Sequence, residues 1–237
     1  MTNHPSEISQ RNIAIVSGFT FLIMTLASIF SIFFVFKNIL ATGNAALTAN
    51  NILASEMLFR FGLCSLIIVL VCDVIAAWTL YIFLKQVNKS LSLLTMLFRL
   101  LYAAILGTAL FNLVIVLRYL KDSTYLVAFE THQLQAQALL SINAFFDNWG
   151  IGLIIFGFHL LALGYLVFKS DYIPKILGVL LIIGSFGYLI QNFALFLFPN
   201  FEKNKALFEM ILGLPMAIGE LSFAFWLLLK GGKRQTG

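Results

Sequence analysis

The chain has 237 residues, of which 61% are hydrophobic and only 11% charged, with 25 Phe and a formal net charge of +5. A soluble domain carries about a quarter charged residues, so a soluble globular protein is excluded. The Lys and Arg are scattered through short loops and the tail, which is how a membrane protein is oriented and not how a nucleic-acid groove is lined, so no nucleic-acid partner is expected.

Taken in chain order, the apolar runs predict six transmembrane helices: Ile13–Phe36, Leu58–Leu84, Leu91–Leu117, Trp149–Phe168, Pro174–Phe198 and Ala206–Leu229. Each is near or above the roughly 20 residues needed to cross the hydrocarbon core. The first run is too long for a signal-peptide core and reads as an uncleaved span. Period-2 alternation is missing from every run, which argues against a membrane β-barrel. The expected fold is an all-α, six-helix membrane bundle forming one domain over 1–237. Short helices are expected on its outer side, at Asn44–Ala54 and at an amphipathic Thr131–Phe146 that either lies in the interface or simply caps the bundle. Cys64 and Cys72 are about 12 Å apart along one helix, too far for a disulfide.

Orientation follows from the basic residues. An N-in, C-in arrangement puts Arg11, Lys85, Lys89, Lys169, Lys175, Lys230, Lys233 and Arg234 in the cytoplasm. Lys37, Arg118, Lys121, Lys203 and Lys205 fall outside, so the bias is positive inside.

Ionisable residues inside such spans are costly and mark site hypotheses. Asp73, Arg99, His159 and Glu220 all fall about 12–17 Å above the inner boundary when counted at 1.5 Å per residue, so they are expected to meet in the middle of the bundle. Asp73 and Arg99 flank the tight Lys85–Ser90 hairpin at nearly equal depth, which predicts an ion pair. That pair either fixes helix register or orients Arg99 toward an anionic or carbonyl group. His159 reads as a satisfied core histidine or as a proton-exchanging ligand contact. Glu220 follows Gly213 and Pro215, and the proline is expected to kink the last span just before the carboxylate. A second polar layer includes Arg60, Asn112 and Asn192, with Glu56 and Arg60 spaced as an i,i+4 pair. Asp73, Arg99, His159, Glu220, Arg60, Asn112 and Asn192 are therefore the candidates for lining a ligand cavity.

A single buried histidine is a poor zinc shell, so no metal is expected. The chain contains no phosphate-binding loop, dinucleotide fingerprint, paired-histidine zinc motif or GxSxG, and no cofactor is expected. The leading functional expectation is a polar intramembrane cavity that binds a small molecule or lipid headgroup, for transport or sensing. The rivals are an intramembrane enzyme using His159 with a carboxylate, and a non-catalytic membrane scaffold or accessory protein. Membrane lipid is the expected partner; protein partners and catalytic residues are not assigned.

Several stretches resemble one family. They are Asn51–Arg60, Tyr81 through Leu94, Phe98-Arg99-Leu100, Phe156-Gly-Phe-His159 with Leu163-Gly-Tyr165, Pro174–Gly178, Gly187-Tyr188, and Gly219-Glu220-Leu221 before Trp226. Together they are similar to the bacterial domain of unknown function 4386 family of small polytopic membrane proteins. The resemblance implies a single membrane domain in the bacterial cytoplasmic (inner) membrane and no particular activity. It also implies family polar positions matching Arg60, Arg99, His159 and Glu220.

Overall fold

The computed structural model describes residues 9–121, 126–199 and 201–232, without the side chains of residues 202, 203 and 205. In lipid every backbone polar group must be satisfied within its own segment, so apolar runs of this length become helices. Among the described residues eight α-helices follow one another: α1 (Gln10–Ile29), α2 (Lys37–Ile39), α3 (Ala45–Ala54), α4 (Glu56–Leu84), α5 (Lys89–Leu120), α6 (Thr131–Lys169), α7 (Lys175–Leu197) and α8 (Phe201–Leu229). A π-helical stretch, Phe30–Phe36, joins α1 to α2. Among the described residues six segments are long and apolar enough to cross a membrane: Gln10–Ile39, Glu56–Leu84, Lys89–Leu120, Thr131–Lys169, Lys175–Leu197 and Ala206–Leu229.

Surface and interior are inverted relative to a soluble protein. Phe19, Leu26, Phe111 and Leu214 are exposed, whereas Asp73, Arg99 and His159 are buried. Lipid is the solvent that makes an apolar exterior favourable, and buried polar groups then pair with one another.

Two features differ from the sequence expectation. The amphipathic stretch 131–146 is not a separate interfacial helix but the first part of the 39-residue α6. No proline or glycine pair interrupts the chain between it and the fourth apolar run, so the backbone ladder continues. The π-helical insertion was not anticipated, because apolar content carries no mark of an i→i+5 register. The expected short helix at Asn44–Ala54 is α3, and Asn44 caps it by accepting from the Leu47 N–H at 2.9 Å. α8 runs as one helix through Pro215. Of the charges used for orientation, Lys233 and Arg234 lie outside the described residues, as do the side chains of Lys203 and Lys205.

The chain divides into two compact units. The first comprises residues 1–23, 72–102 and 153–237. Its helices approach closely through glycine. A Cβ on Gly178 would lie 2.6 Å from the Phe168 backbone nitrogen and 2.7 Å from the Gly164 carbonyl oxygen, so α6 and α7 touch through backbone. Gly219 meets the Leu180 carbonyl in the same way, bringing α8 onto α7. Arg11 closes the end of α8. Its guanidinium donates to the carbonyls of Leu227 (3.2 Å), Gly231 (2.9 Å) and Leu228, which are the acceptors a helix leaves unsatisfied at its C-terminus. The turns of this unit are pinned as well. The Tyr172 hydroxyl donates to Phe83 O at 3.0 Å and Ser92 Oγ to Tyr81 O at 3.1 Å. Burial raises the Tyr172 hydroxyl above its ordinary value, which keeps it a donor.

The second unit comprises residues 24–71 and 103–152. Its helices are stitched by short hydroxyls: Ser31 Oγ donates to Gly62 O at 3.1 Å and Ser65 Oγ to Ala27 O at 2.7 Å. Phe36 packs against Phe59, Phe145 and Phe146.

Candidate functional site: a buried ionic cluster with an open edge

Every membrane-crossing segment supplies a side chain to one polar cluster inside the first unit. Asp73 comes from α4 and Arg99 from α5. Arg99 Nη2 lies 2.8 Å from Asp73 Oδ1, and both residues are 1% exposed. This is the ion pair expected from the hairpin spacing. A guanidinium taken out of water needs its donors filled, and His159 on α6 fills another. Arg99 Nη1 is 3.1 Å from His159 Nε2, and His159 Nδ1 is 2.9 Å from the Thr95 carbonyl.

These contacts fix the imidazole's state. Arginine has only donors, so Nε2 must accept and Nδ1 must carry the proton that goes to Thr95 O. His159 is therefore neutral, and it bridges two groups one turn apart on the same face of α5. The guanidinium carbon also lies 4.8 Å from the Phe21 ring centroid on α1 and 5.4 Å from that of Phe156 on α6. Such stacking suits the planar, weakly hydrated guanidinium better than it would an ammonium.

Glu220 on α8 sits at the edge of this arrangement. Its Oε1 accepts the Tyr188 hydroxyl from α7 at 2.7 Å, and it lies within the electrostatic reach of Arg99 and Asp73. Tyr188 packs edge-on to Phe156 at 5.1 Å, and Phe156 in turn lies 4.9 Å from Tyr102. Protein crowds the Glu220 carboxylate on most sides. Even so, Glu220 and Tyr188 each keep part of their surface open, whereas Asp73, Arg99 and His159 do not. The equal-depth argument thus finds four residues that do share one neighbourhood. His159, however, is bonded to Arg99 and Thr95, and Glu220 to Tyr188.

The remaining candidates stand apart. Arg60 Nε pairs with Glu56 at 2.7 Å as the i,i+4 spacing predicts, and Lys121 Nζ joins the same carboxylate oxygen at 2.9 Å. Both contacts belong to the second unit, on partly exposed side chains. Asn112 and Asn192 donate back to carbonyls of their own helices, Ala109 (3.2 Å) and Tyr188 (2.8 Å). Two of the surface cavities among the described residues lie away from the cluster. One, of about 370 Å³, lies in the second unit and is lined by Leu53, Tyr119, Lys121, Phe129 and Gln135 among others. The other, of about 320 Å³, lies between the turns before α5 and before α7. None of the seven sequence candidates lines either one.

Sequence reasoning missed Tyr188, Thr95, Phe21 and Phe156. Tyr188 was within reach of the depth argument, because a tyrosine hydroxyl extends well beyond its own backbone level. The backbone carbonyl of Thr95 leaves no trace in residue type. Among the described residues no group of three or more His, Cys, Asp or Glu side chains is arranged to hold a metal ion.

The comparisons with known proteins agree with this architecture without adding an activity. The chain is 34% identical over 173 residues to an uncharacterized protein of Archaeoglobus fulgidus, covering 73% of this chain and 85% of that one. No solved structure matches it. The profile of the family described as Domain of unknown function (DUF4386) matches residues 16–231, which span all six membrane-crossing segments. The chain belongs to that family.

Proposed function

We propose that this protein binds a small molecule, or the headgroup of a lipid, within the membrane and moves or senses it. One observation carries the reading: Tyr188 and Glu220, hydrogen-bonded to each other about midway along two apolar helices, each keep part of their residue surface open. Polar groups at that depth are expensive in lipid. A network that served only to hold helices together would close over all of its charges.

Behind the edge, Asp73, Arg99 and His159 act as a rigid backing whose rotamers are locked by mutual bonds and by the Phe21 and Phe156 rings. Membrane lipid is the surrounding partner. The inner membrane with both termini in the cytoplasm is the placement that the basic residues favour. A second reading, a scaffold held by buried charges, is favoured by the trio itself, which is 0–1% exposed and internally bonded. The enzyme reading has no such support, since both ring nitrogens of His159 are engaged and the ring is buried.

Native mass spectrometry of the protein released from lipid nanodiscs separates these readings. Binding predicts a bound species retained by the parent and lost from Glu220→Gln. An identical, purely bulk-lipid complement in both proteins would favour the scaffold. Cysteine labelling tests the orientation: Lys89→Cys should react only from the cytoplasmic side and Lys121→Cys only from the outside. The opposite pattern would reverse the orientation.

A further inference from the structure

The charge count of the cluster specifies the class of ligand, an inference that rests on the binding function proposed above. Asp73 and Glu220 are carboxylates, Arg99 is the single cation among them, and His159 is held neutral by its two bonds. The other basic side chains of this unit, such as Lys85, Lys89, Lys169 and Lys175, stand at helix ends. With both carboxylates ionised the cluster therefore lacks one positive charge. An uncompensated charge in a low-dielectric setting is far costlier than a neutral polar group, so Glu220 either holds a proton or meets a bound cation.

The orphaned atoms bear on that choice. Asp73 Oδ2 is buried without a hydrogen-bond partner, although Oδ1 is taken by Arg99. Gln191 Oε1 is likewise buried and without a partner, and Gln191 lies three residues beyond Tyr188 on the same face of α7. Asp73 Oδ2 is sealed behind the Arg99 pair, so the acceptor beside Tyr188 is Gln191 Oε1, and what it lacks is an N–H or O–H donor. A metal ion is a poor answer, because no three of the ligating side chains that metals need converge among the described residues. Tyr188 packs on Phe156, so the edge is aromatic on one side. Aromatic rings attract organic cations, and the hydrocarbon around the two helices suits an organic body more than a hydrated ion.

We propose that the Tyr188–Glu220 edge binds a protonated primary or secondary amine carried on an apolar body, with Glu220 as its counter-ion and Gln191 Oε1 as a second acceptor beside Tyr188. The ammonium supplies the positive charge, and its N–H groups supply the donor that Gln191 lacks. The Tyr188 hydroxyl, already committed to Glu220 Oε1, holds that carboxylate in place. The amine could be free or part of an aminolipid headgroup; the chemistry at Glu220 is the same.

The test is a thermal-unfolding series on the purified full-length protein in neutral detergent at constant ionic strength. Benzylamine supplies charge, donors and an apolar ring. Benzyltrimethylammonium keeps the charge without donors, benzyl alcohol lacks the charge, and benzoate reverses it. The proposal expects a saturable rise in melting midpoint with benzylamine and a smaller one with benzyltrimethylammonium. Glu220→Gln should weaken the benzylamine effect about tenfold or more, the loss expected for one charge-assisted contact. Tyr188→Phe, which removes only the hydroxyl, should weaken it less. A parallel series in nanodiscs with and without phosphatidylethanolamine decides the source. Competition by that lipid assigns an aminolipid, and its absence a free amine.

Stabilisation by benzoate or benzyl alcohol, but not by benzylamine, overturns the amine while leaving the binding function standing. Equal responses of parent and Glu220→Gln to benzylamine overturn the proposed role of Glu220. No response to any of the four probes, together with no retained species in native mass spectrometry, removes the binding function as well.

Discussion

Among the described residues two polar triads, each built around an arginine–carboxylate pair, lie in opposite settings. In the first unit Asp73, Arg99 and His159 are at most 1% exposed and bonded at 2.8–3.1 Å. In the second, Glu56, Arg60 and Lys121 are bonded as tightly, at 2.7 and 2.9 Å, but their side chains are 27%, 41% and 50% exposed. Distance alone does not rank them. A solvated pair exchanges its partner for water at little cost and is screened by salt. A sealed pair has nothing to exchange with, so removing one member strands the other. The sealed triad is thus expected to matter to the fold of its unit far more than the exposed one. The site proposed above lies beside the sealed one, where Tyr188 and Glu220 each keep part of their surface open.

The largest expected effect breaks the sealed triad. Asp73→Ala or Arg99→Ala should each destabilise by about 3–5 kcal/mol in a detergent unfolding assay. The double variant should lose less than the sum of the two. Additive losses would mean the pair is not coupled.

A second change tests what seals it. Gly178→Ala forces a Cβ to within 2.6 Å of the Phe168 backbone nitrogen, on the helix that carries His159. Backbone cannot give way as a flexible side chain can, so a loss of about 1–3 kcal/mol is expected from overpacking. Unchanged stability would mean that α6 and α7 are not held this close.

The smallest effect sharpens the contrast. Glu56→Gln should leave unfolding nearly unchanged at moderate salt, with any difference growing as ionic strength falls. A loss rivalling that of Asp73→Ala would erase the distinction between the triads.

How much of this was legible in the sequence depended on which coordinate each feature needed. The spans were readable because hydrocarbon demands long apolar runs, and predicted and observed ends differ by only a few residues at Leu58–Leu84 against Glu56–Leu84. The Asp73–Arg99 pair was readable because a short hairpin ties two depths together. The Glu56–Arg60 pair followed from helical spacing alone. Partners set by rotation about a helix axis were not readable. His159 turns to Arg99 and Thr95, and Glu220 to Tyr188, through packing that depth does not encode. Arg11 was read as an orienting charge, yet it also caps α8 from the opposite end of the chain. That contact joins residues 220 positions apart, a separation no local pattern spans.

The central claim is that Asp73 is closed off while Glu220, in the same cluster, is reachable. Dicyclohexylcarbodiimide, an apolar reagent that adds to carboxylic acids inside membranes, compares the two directly. The protein in native-like bilayers is treated, digested and read by mass spectrometry, with Glu220→Gln as the control. The account predicts an adduct on Glu220 that benzyltrimethylammonium, which cannot itself be acylated, suppresses, and none on Asp73. Equal modification of both residues, modification of Asp73 alone, or an unmodified Glu220 would contradict it.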